Sequence, residues 1–326
     1  MVWITFFITA GVIVFAANQL AKYGDVIALR TQLGRMFIGV LLIAGATSLP
    51  EVLTSISSLN QNTPNMAAGN LLGSNTFNMV LLAVIDIVNR DQRILRKAAM
   101  KHALTGSLAV FMIGLVVLLI IADIKISLGW LGLDSLLLIA TYFLAVWLIK
   151  QNASSLDKSF QHEEIPANTP GLLQGILGFI LAAAALFVAT PIMVRSANLI
   201  SEISGLGTSF IGTTLVALVT SLPELVTTLA AIKIGANDMA IGNLFGSNMF
   251  NMFAIGLTDL FYTQGRFLSV IDPSFLLIGM FGLLMTAMAL IGNLAKLEKR
   301  IWFIEIDAFS LILMYIASIW LLYSHA

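Results

Sequence analysis

The sequence contains no cysteine, only 3 histidines in 326 residues, and only 10% charged residues against 59% hydrophobic ones. Without cysteine there is no disulfide framework, no zinc–thiolate site and no redox dithiol. His102, His162 and His325 fall in charged segments or beside the C-terminus, so a histidine-ligated metal inside a membrane is not expected. Charge this scarce cannot cover a water-soluble surface, since a soluble domain is about a quarter charged. A mean hydropathy of +0.96 makes the same point. A soluble enzyme is excluded. The 17 basic and 17 acidic residues balance to a formal net charge of +0, so no global field draws a nucleic acid. What remains is a polytopic integral membrane protein whose partner is the lipid bilayer.

A helix crosses the hydrocarbon with about 20 apolar residues. Reading between charge clusters predicts ten transmembrane helices, at 2–22, 36–59, 65–88, 102–122, 127–149, 171–195, 208–232, 237–260, 273–295 and 302–323. These runs are too long and too uniformly apolar for barrel strands. The polar, proline-containing segment 150–170 reads as a cytoplasmic linker between two five-helix repeats, 1–149 and 171–326. The first run lacks a basic leader and a small-residue cleavage site, and reads as a span. With both termini outside, fourteen of the 17 basic residues fall on the inner face. Only Lys125, Arg195 and Arg266 fall outside, and the basic run Arg90–Lys101 sets topology.

The chain also repeats itself. Residues 38–82 align with 211–255 without a gap, and roughly 20 of about 45 positions are identical. IGVLLIAGATSLPEVLTS matches IGTTLVALVTSLPELVTT, and MAAGNLLGSNTFNM matches MAIGNLFGSNMFNM. The matches are Thr, Ser, Pro, Glu, Gly and Asn, which shared apolar composition does not explain. Five spans separate the copies, so the second enters the membrane from the opposite side. The fold expected is all-α, with two inverted-topology repeats and a site near the midplane where they meet.

The polar clusters lie mid-span. Pro50 and Pro223 each remove a backbone donor, freeing the carbonyls of Ala46 and Val219 and loosening the turn that holds Ala44 and Ala217. Irregular backbone at this depth is tolerated where it lines a cavity. Glu51 and Glu224 follow directly, and a carboxylate near the bilayer centre costs about 2.5–3.5 kcal/mol, so such residues mark ion pathways. With no Lys or Arg at that depth, protons or bound cations must neutralise them. Thr47 shares a helix face with Glu51, as Thr220 does with Glu224. Ser74 pairs with Asn78, and Ser247 with Asn251, in the same way. Gly69, Gly73, Gly242 and Gly246 have the small-xxx-small spacing of close helix contact. Asn70, Asn75, Asn243 and Asn248 sit off the Ser/Asn face and read as packing or capping residues. Asp86 and Asp259 read as solvated helix ends, and Asp123, Asp134, Glu305 and Asp307 as interfacial. The donors are all oxygens, which suits Ca²⁺ with its 6–8 ligands and tolerant geometry. Two carboxylates balance one Ca²⁺, and the same oxygens can serve Na⁺ in its absence.

TSLPE paired with GNLxGSNxFN, twice over, resembles the cation/calcium exchanger superfamily, in its sodium/calcium exchanger branch of the compact prokaryotic type. The match covers 38–82 and 211–255, and ten spans fit the family fold. The resemblance implies ion ligands at Ala44, Thr47, Ser48, Glu51, Ser74 and Asn78, with counterparts at Ala217, Thr220, Ser221, Glu224, Ser247 and Asn251. It implies an antiporter that exchanges Ca²⁺ for Na⁺ by alternating access, in which spans 1 and 6 slide across a rigid core of the other eight. Asn251 stands where several microbial members and the potassium-dependent branch carry Asp, which disfavours potassium co-transport. The Gly-Asn-Ala that precedes the Glu in the proton/calcium branch is missing here, which favours Na⁺. Ca²⁺ and Na⁺ are then substrates, with no cofactor and no obligatory protein partner, in a prokaryotic inner membrane.

Rival readings differ in class. An H⁺/Ca²⁺ (or other divalent cation) antiporter would use the same site, because deep carboxylates load protons. A passive channel would show flux independent of a counter-ion. An intramembrane hydrolase would need a His or Lys base near a Ser, and none is there.

Overall fold

Backbone in hydrocarbon must satisfy its own N–H and C=O groups, so long apolar runs fold as helices. The computed structural model describes residues 1–31, 45–88, 99–156, 169–233, 237–295, 300–301 and 304–325. Its first half holds α1 (Val2–Thr31), α2 (Leu49–Asn60), α3 (Pro64–Val88), α4 (Ala99–Ala122), the hairpin β1 (Ser127–Leu128) and β2 (Leu131–Gly132), and α5 (Leu133–Leu156). The second half opens with α6 (Leu172–Ser204). A broken run follows: α7 (Thr208–Ile211), a π-helical segment (Gly212–Val216), α8 (Ala217–Thr220) and α9 (Leu222–Lys233). After it come α10 (Asn237–Asp259), α11 (Phe275–Ala295), the hairpin β3 (Arg300–Ile301) and β4 (Ile304–Glu305), and α12 (Ile306–His325).

Among the described residues, eight helical segments are long and apolar enough to cross a membrane. α2 and α10 fall outside that set. α2 is only 12 residues long from its break at Ser48, and the asparagines Asn243, Asn248 and Asn251 lower the hydropathy of α10. Element boundaries recur at an offset of 173 along the whole chain. α2 at 49–60 answers α9 at 222–233, and the hairpin at 127–132 answers the one at 300–305. α1 and α6 end at the equivalent Thr31 and Ser204.

Several expected boundaries move. α1 runs past Lys22 to Thr31, and α6 runs past Arg195 to Ser204, where Gly205 caps it with a φ of 69°. Long basic side chains carry their charge to water from within a helix, so they do not end one. Residues 127–132, expected as the start of a span, form a hairpin instead, and α5 continues through Leu156 into the expected linker. Residues 36–44 of the second expected span, 89–98 of the basic run and 157–168 of the linker lie outside the described residues.

The expected solvated helix ends are also corrected. Asp259 is fully buried and accepts the backbone N–H groups of Gly132 at 2.8 Å and Phe267 at 2.5 Å. Asp134 is buried too, and accepts from Ser135 N–H at 2.8 Å and from Arg266 at 3.3 Å. Arg266 reaches on to Asp123 at 2.5 Å and to the Ile124 carbonyl. A buried acceptor needs donors, and these come from loop backbone and Arg266, binding the first hairpin to the loop after α10. At the 173-residue offset, Asp86 and Asp307 gather with Glu305, their carboxylate oxygens within 4.8 Å of one another.

The apolar interior is split. α1 packs along α6 through Phe6, Ile13, Ala17 and Leu20 against Leu186, Ala189, Met193 and Ala197. A separate cluster joins α3, α4, α5, α10, α11 and α12 around Leu71, Met79, Met112, Phe245, Met252 and Met285. Gln61, just past α2, crosses to the helix pair: its amide donates to the Pro191 carbonyl at 3.1 Å and accepts from Asn198 at 3.3 Å.

Candidate functional site

The two TSLPE segments break their helices at equivalent points. Ser48 has φ −88° and ψ 5°, and Ser221 has φ −90° and ψ 1°. Proline has no N–H to lose in a first helical turn. Pro50 and Pro223 therefore do more than free one carbonyl each; they sit at the start of new helices, α2 and α9. That puts Glu51 and Glu224 in the first turn of each, where unpaired N–H groups and the helix dipole favour negative charge. Local sequence thus supplies part of what a buried carboxylate needs.

α3 is pressed against the run before the second break. A Cβ on Gly69 would lie 2.8 Å from the backbone N of Thr213, and one on Gly73 would lie 2.5 Å from its carbonyl O. Only glycine permits this approach, as the small-xxx-small spacing predicts. The contacted backbone is the π-helical segment, a distortion often found at functional sites.

The glutamates meet across the two halves. Ser48 Oγ donates to Glu224 at 3.1 Å, and its counterpart Ser221 Oγ donates to Glu51 at 3.3 Å. Thr220 faces Glu51 beside Ser221, while Thr47 and Ser247 face Glu224, with Ser247 Oγ at 3.4 Å. Ser74 Oγ lies 3.5 Å from Thr220 Oγ. The two carboxylates are close enough to repel one another. Both are fully buried, and among the described residues no lysine or arginine pairs with either.

The asparagines form a second crossing. Asn78 Nδ2 donates to Asn248 Oδ1 and Asn251 Nδ2 donates to Asn75 Oδ1, both at 3.0 Å. Asn70, on α3, donates to the Glu51 carbonyl at 3.0 Å and accepts from Thr220 at 2.9 Å. These asparagines are more than packing. Their signal was present in the sequence: Asn75 lies three residues before Asn78, and Asn70 four before Ser74, which are helical neighbours.

Four buried oxygens at this crossing have no hydrogen-bond partner: Glu51 Oε2, Glu224 Oε2, Asn78 Oδ1 and Asn251 Oδ1. Buried acceptors are almost always paired; other buried atoms among the described residues, Asn243 Oδ1 included, also lack a partner, but these four are two symmetry-related pairs of the oxygen type a hard cation takes. The structure therefore gathers Thr47, Ser48, Glu51, Ser74, Asn78, Thr220, Ser221, Glu224, Ser247 and Asn251. The Ala217 carbonyl accepts from Ser221 N–H at 3.0 Å and from the Thr220 hydroxyl at 3.3 Å. Ala44 lies outside the described residues.

Fold and site together define a helical membrane protein with an oxygen-lined centre of two carboxyl groups built from a duplicated motif. The chain belongs to the sodium/calcium exchanger protein family, whose model matches residues 1–150 and 174–324, and it is a membrane antiporter of that family. It is similar to the inner membrane protein YrbG of Escherichia coli (strain K12), at 30% identity over 80% of this chain and 78% of that protein. It is also similar to the sodium/calcium exchanger MaX1 of Methanosarcina acetivorans, at 28% identity over 77% of this chain and 80% of the relative. Among solved structures, the sodium-calcium exchanger NCX_Mj superposes with a TM-score of 0.61 at 20% identity, covering 98% of this chain and 99% of that one. The H⁺/Ca²⁺ exchanger CAX gives 0.72 at 12% identity, covering 99% and 85%. Both likenesses establish a shared fold.

Proposed function

We propose that this protein exchanges Ca²⁺ for Na⁺ by alternating access, binding either ion among Glu51, Glu224 and the Thr, Ser, Asn and backbone oxygens around them, Ala44 and Ala217 included. The observation that carries this reading is the set of four unpartnered buried oxygens. Hard cations take such oxygens in numbers, and Ca²⁺ tolerates irregular geometry better than Mg²⁺. Two carboxylates offset the charge of one Ca²⁺, and the same oxygens serve Na⁺ when Ca²⁺ leaves. Competition for one set of ligands couples the two fluxes.

The proposed architecture is ten spans in two inverted repeats, 1–149 and 171–326, with 150–170 as the cytoplasmic linker and both termini outside. The 173-residue recurrence of element boundaries and the reciprocal bonds between halves support the repeat. The long mutual packing of α1 and α6 supports movement of that pair against the remaining helices, across a contact that includes Met66, Ile211, Val216 and Val219. A prokaryotic inner membrane fits the inner-membrane relative YrbG.

The test is ⁴⁵Ca²⁺ uptake into proteoliposomes loaded with Na⁺, compared with uptake driven by an outward H⁺ gradient of matched size. The expected result is uptake with Na⁺ alone. Uptake with H⁺ alone would keep the site and change the driving ion, since two buried carboxylates without basic partners can also carry protons. Uptake without any counter-ion would mean a channel.

A further inference from the structure

We propose that Asn75 and Asn248 are positioning residues: each fixes the side-chain amide of a site asparagine in the opposite repeat so that its oxygen, not its nitrogen, is left for the cation. The inference rests on the exchanger reading above and concerns how two of its ligands are presented.

An asparagine amide has two ends of nearly equal shape and opposite use. Its oxygen binds a cation, and its NH₂ carries only donors. Nothing in the residue itself chooses between them, so the surroundings must. Asn251 Nδ2 is spent on Asn75 Oδ1 and Asn78 Nδ2 on Asn248 Oδ1, both at 3.0 Å. Asn75 and Asn248 are oriented in turn, because each donates its own Nδ2 to the other's backbone carbonyl, at 3.4 and 3.3 Å. Asn248 Nδ2 also reaches Thr286 Oγ at 3.3 Å.

All four side chains are buried. The amide donors therefore run toward the crossing of α3 and α10, and what emerges at the outer ends is Asn78 Oδ1 and Asn251 Oδ1, both unpartnered. Reversing one outer amide would set Nδ2 donors against the cation and leave two oxygens facing each other inside. Asn75 and Asn248 make that reversal costly without touching the ion.

A double-substitution cycle separates positioning from packing. In Asn251→Asp the site side chain presents oxygen whichever way it turns, so Asn75 has no orientation left to fix. ⁴⁵Ca²⁺ binding to the purified full-length protein is measured for wild type, N75A, N251D and N75A/N251D. We expect N75A to weaken binding about tenfold in the wild-type background and to weaken it no further in N251D. An equal loss in both backgrounds would make Asn75 a packing residue and overturn the proposal, as would N75A binding like wild type. If N75A does not fold, the mirror cycle of N248A with N78D poses the same question with the same criteria. Absence of Ca²⁺ binding by the wild type would overturn the exchanger reading itself, and it is recognised before any variant is compared.

Discussion

Glu51 and Glu224 are fully buried carboxylates with no described cationic partner, each held by a serine from the other half of the chain. Each spends one oxygen on that serine and keeps the other unpartnered. Changing either to Gln removes a charge and sets an amide where a cation would sit. A charge-assisted contact is worth about 1.5–3 kcal/mol, and each 1.4 kcal/mol is a factor of ten. E51Q and E224Q should therefore each lose about 10²-fold in Ca²⁺ affinity and support no exchange. The fold should survive, because Gln removes the mutual repulsion of two buried charges. Thermal unfolding in detergent checks both halves of this expectation. Wild type should gain about 2.7 kcal/mol at a hundredfold excess of Ca²⁺ over its Kd, and the variants, a hundredfold weaker, should gain only about 0.4 kcal/mol at the same Ca²⁺ while staying as stable as wild type without it. A Ca²⁺-dependent rise in either variant as large as that of wild type would move the site elsewhere. The sequence already exposed both glutamates through their duplication beside proline. It marked Asn70 and Asn75 only as helical neighbours of Ser74 and Asn78, because repetition and spacing in one sequence do not say what a position touches. Asn75 meets Asn248 and Asn251 only after two distant helices cross.

At the scale of elements, the helices themselves were legible and their ends were not. Apolar length decides whether a helix forms, but where it stops depends on caps and neighbours. The hairpin at 127–132 looks like helix in sequence because its residues are apolar; Gly129 turns it at a φ of 68°, and Asp259, far along the chain, holds its end through Gly132 N–H. Asp259 thereby joins two loops through the N–H groups of Gly132 and Phe267. D259A leaves both donors buried and unpaired, at about 1–3 kcal/mol each, and D259N keeps one acceptor but turns an NH₂ toward the other N–H, so both variants should be destabilised relative to wild type. Thermal melts of both variants and of wild type in detergent provide the comparison; wild-type melts would mean that the loops hold without this carboxylate. The outer edge of the clamp has its own pH response. The hydrogen bond from Arg266 holds the Asp123 carboxyl below its usual value of 3.8. Its folded value is the lower one, so its contribution is complete above the unfolded value and fades as pH falls through the folded one. At neutral pH this contact is fully formed.

For the whole molecule, the partition of side chains is inverted. Phe7, Phe15, Leu181 and Phe187 are each more than 60% exposed, while Thr47, Glu51, Asn78 and Asn251 are at 0%. In water such a surface would aggregate, and in lipid it is the favourable arrangement, because the polar groups find one another inside. The repeat adds a constraint on topology. If its five helices cross an odd number of times, the second copy is inverted, the linker and the termini lie on opposite faces, and the ends of the chain lie on the same one. In the proposed topology the linker lies inside. Because the chain has no cysteine, a single introduced thiol reports its own location without background. S324C, at an exposed position on α12, should react in intact cells with a membrane-impermeant maleimide. N152C, exposed near the end of α5, should react only after the membrane is opened. Labelling of both from outside would require an even number of crossings between them. The repeats would then be parallel, and the reciprocal bonds of Ser48 and Ser221 would need an explanation other than an inverted pair of halves.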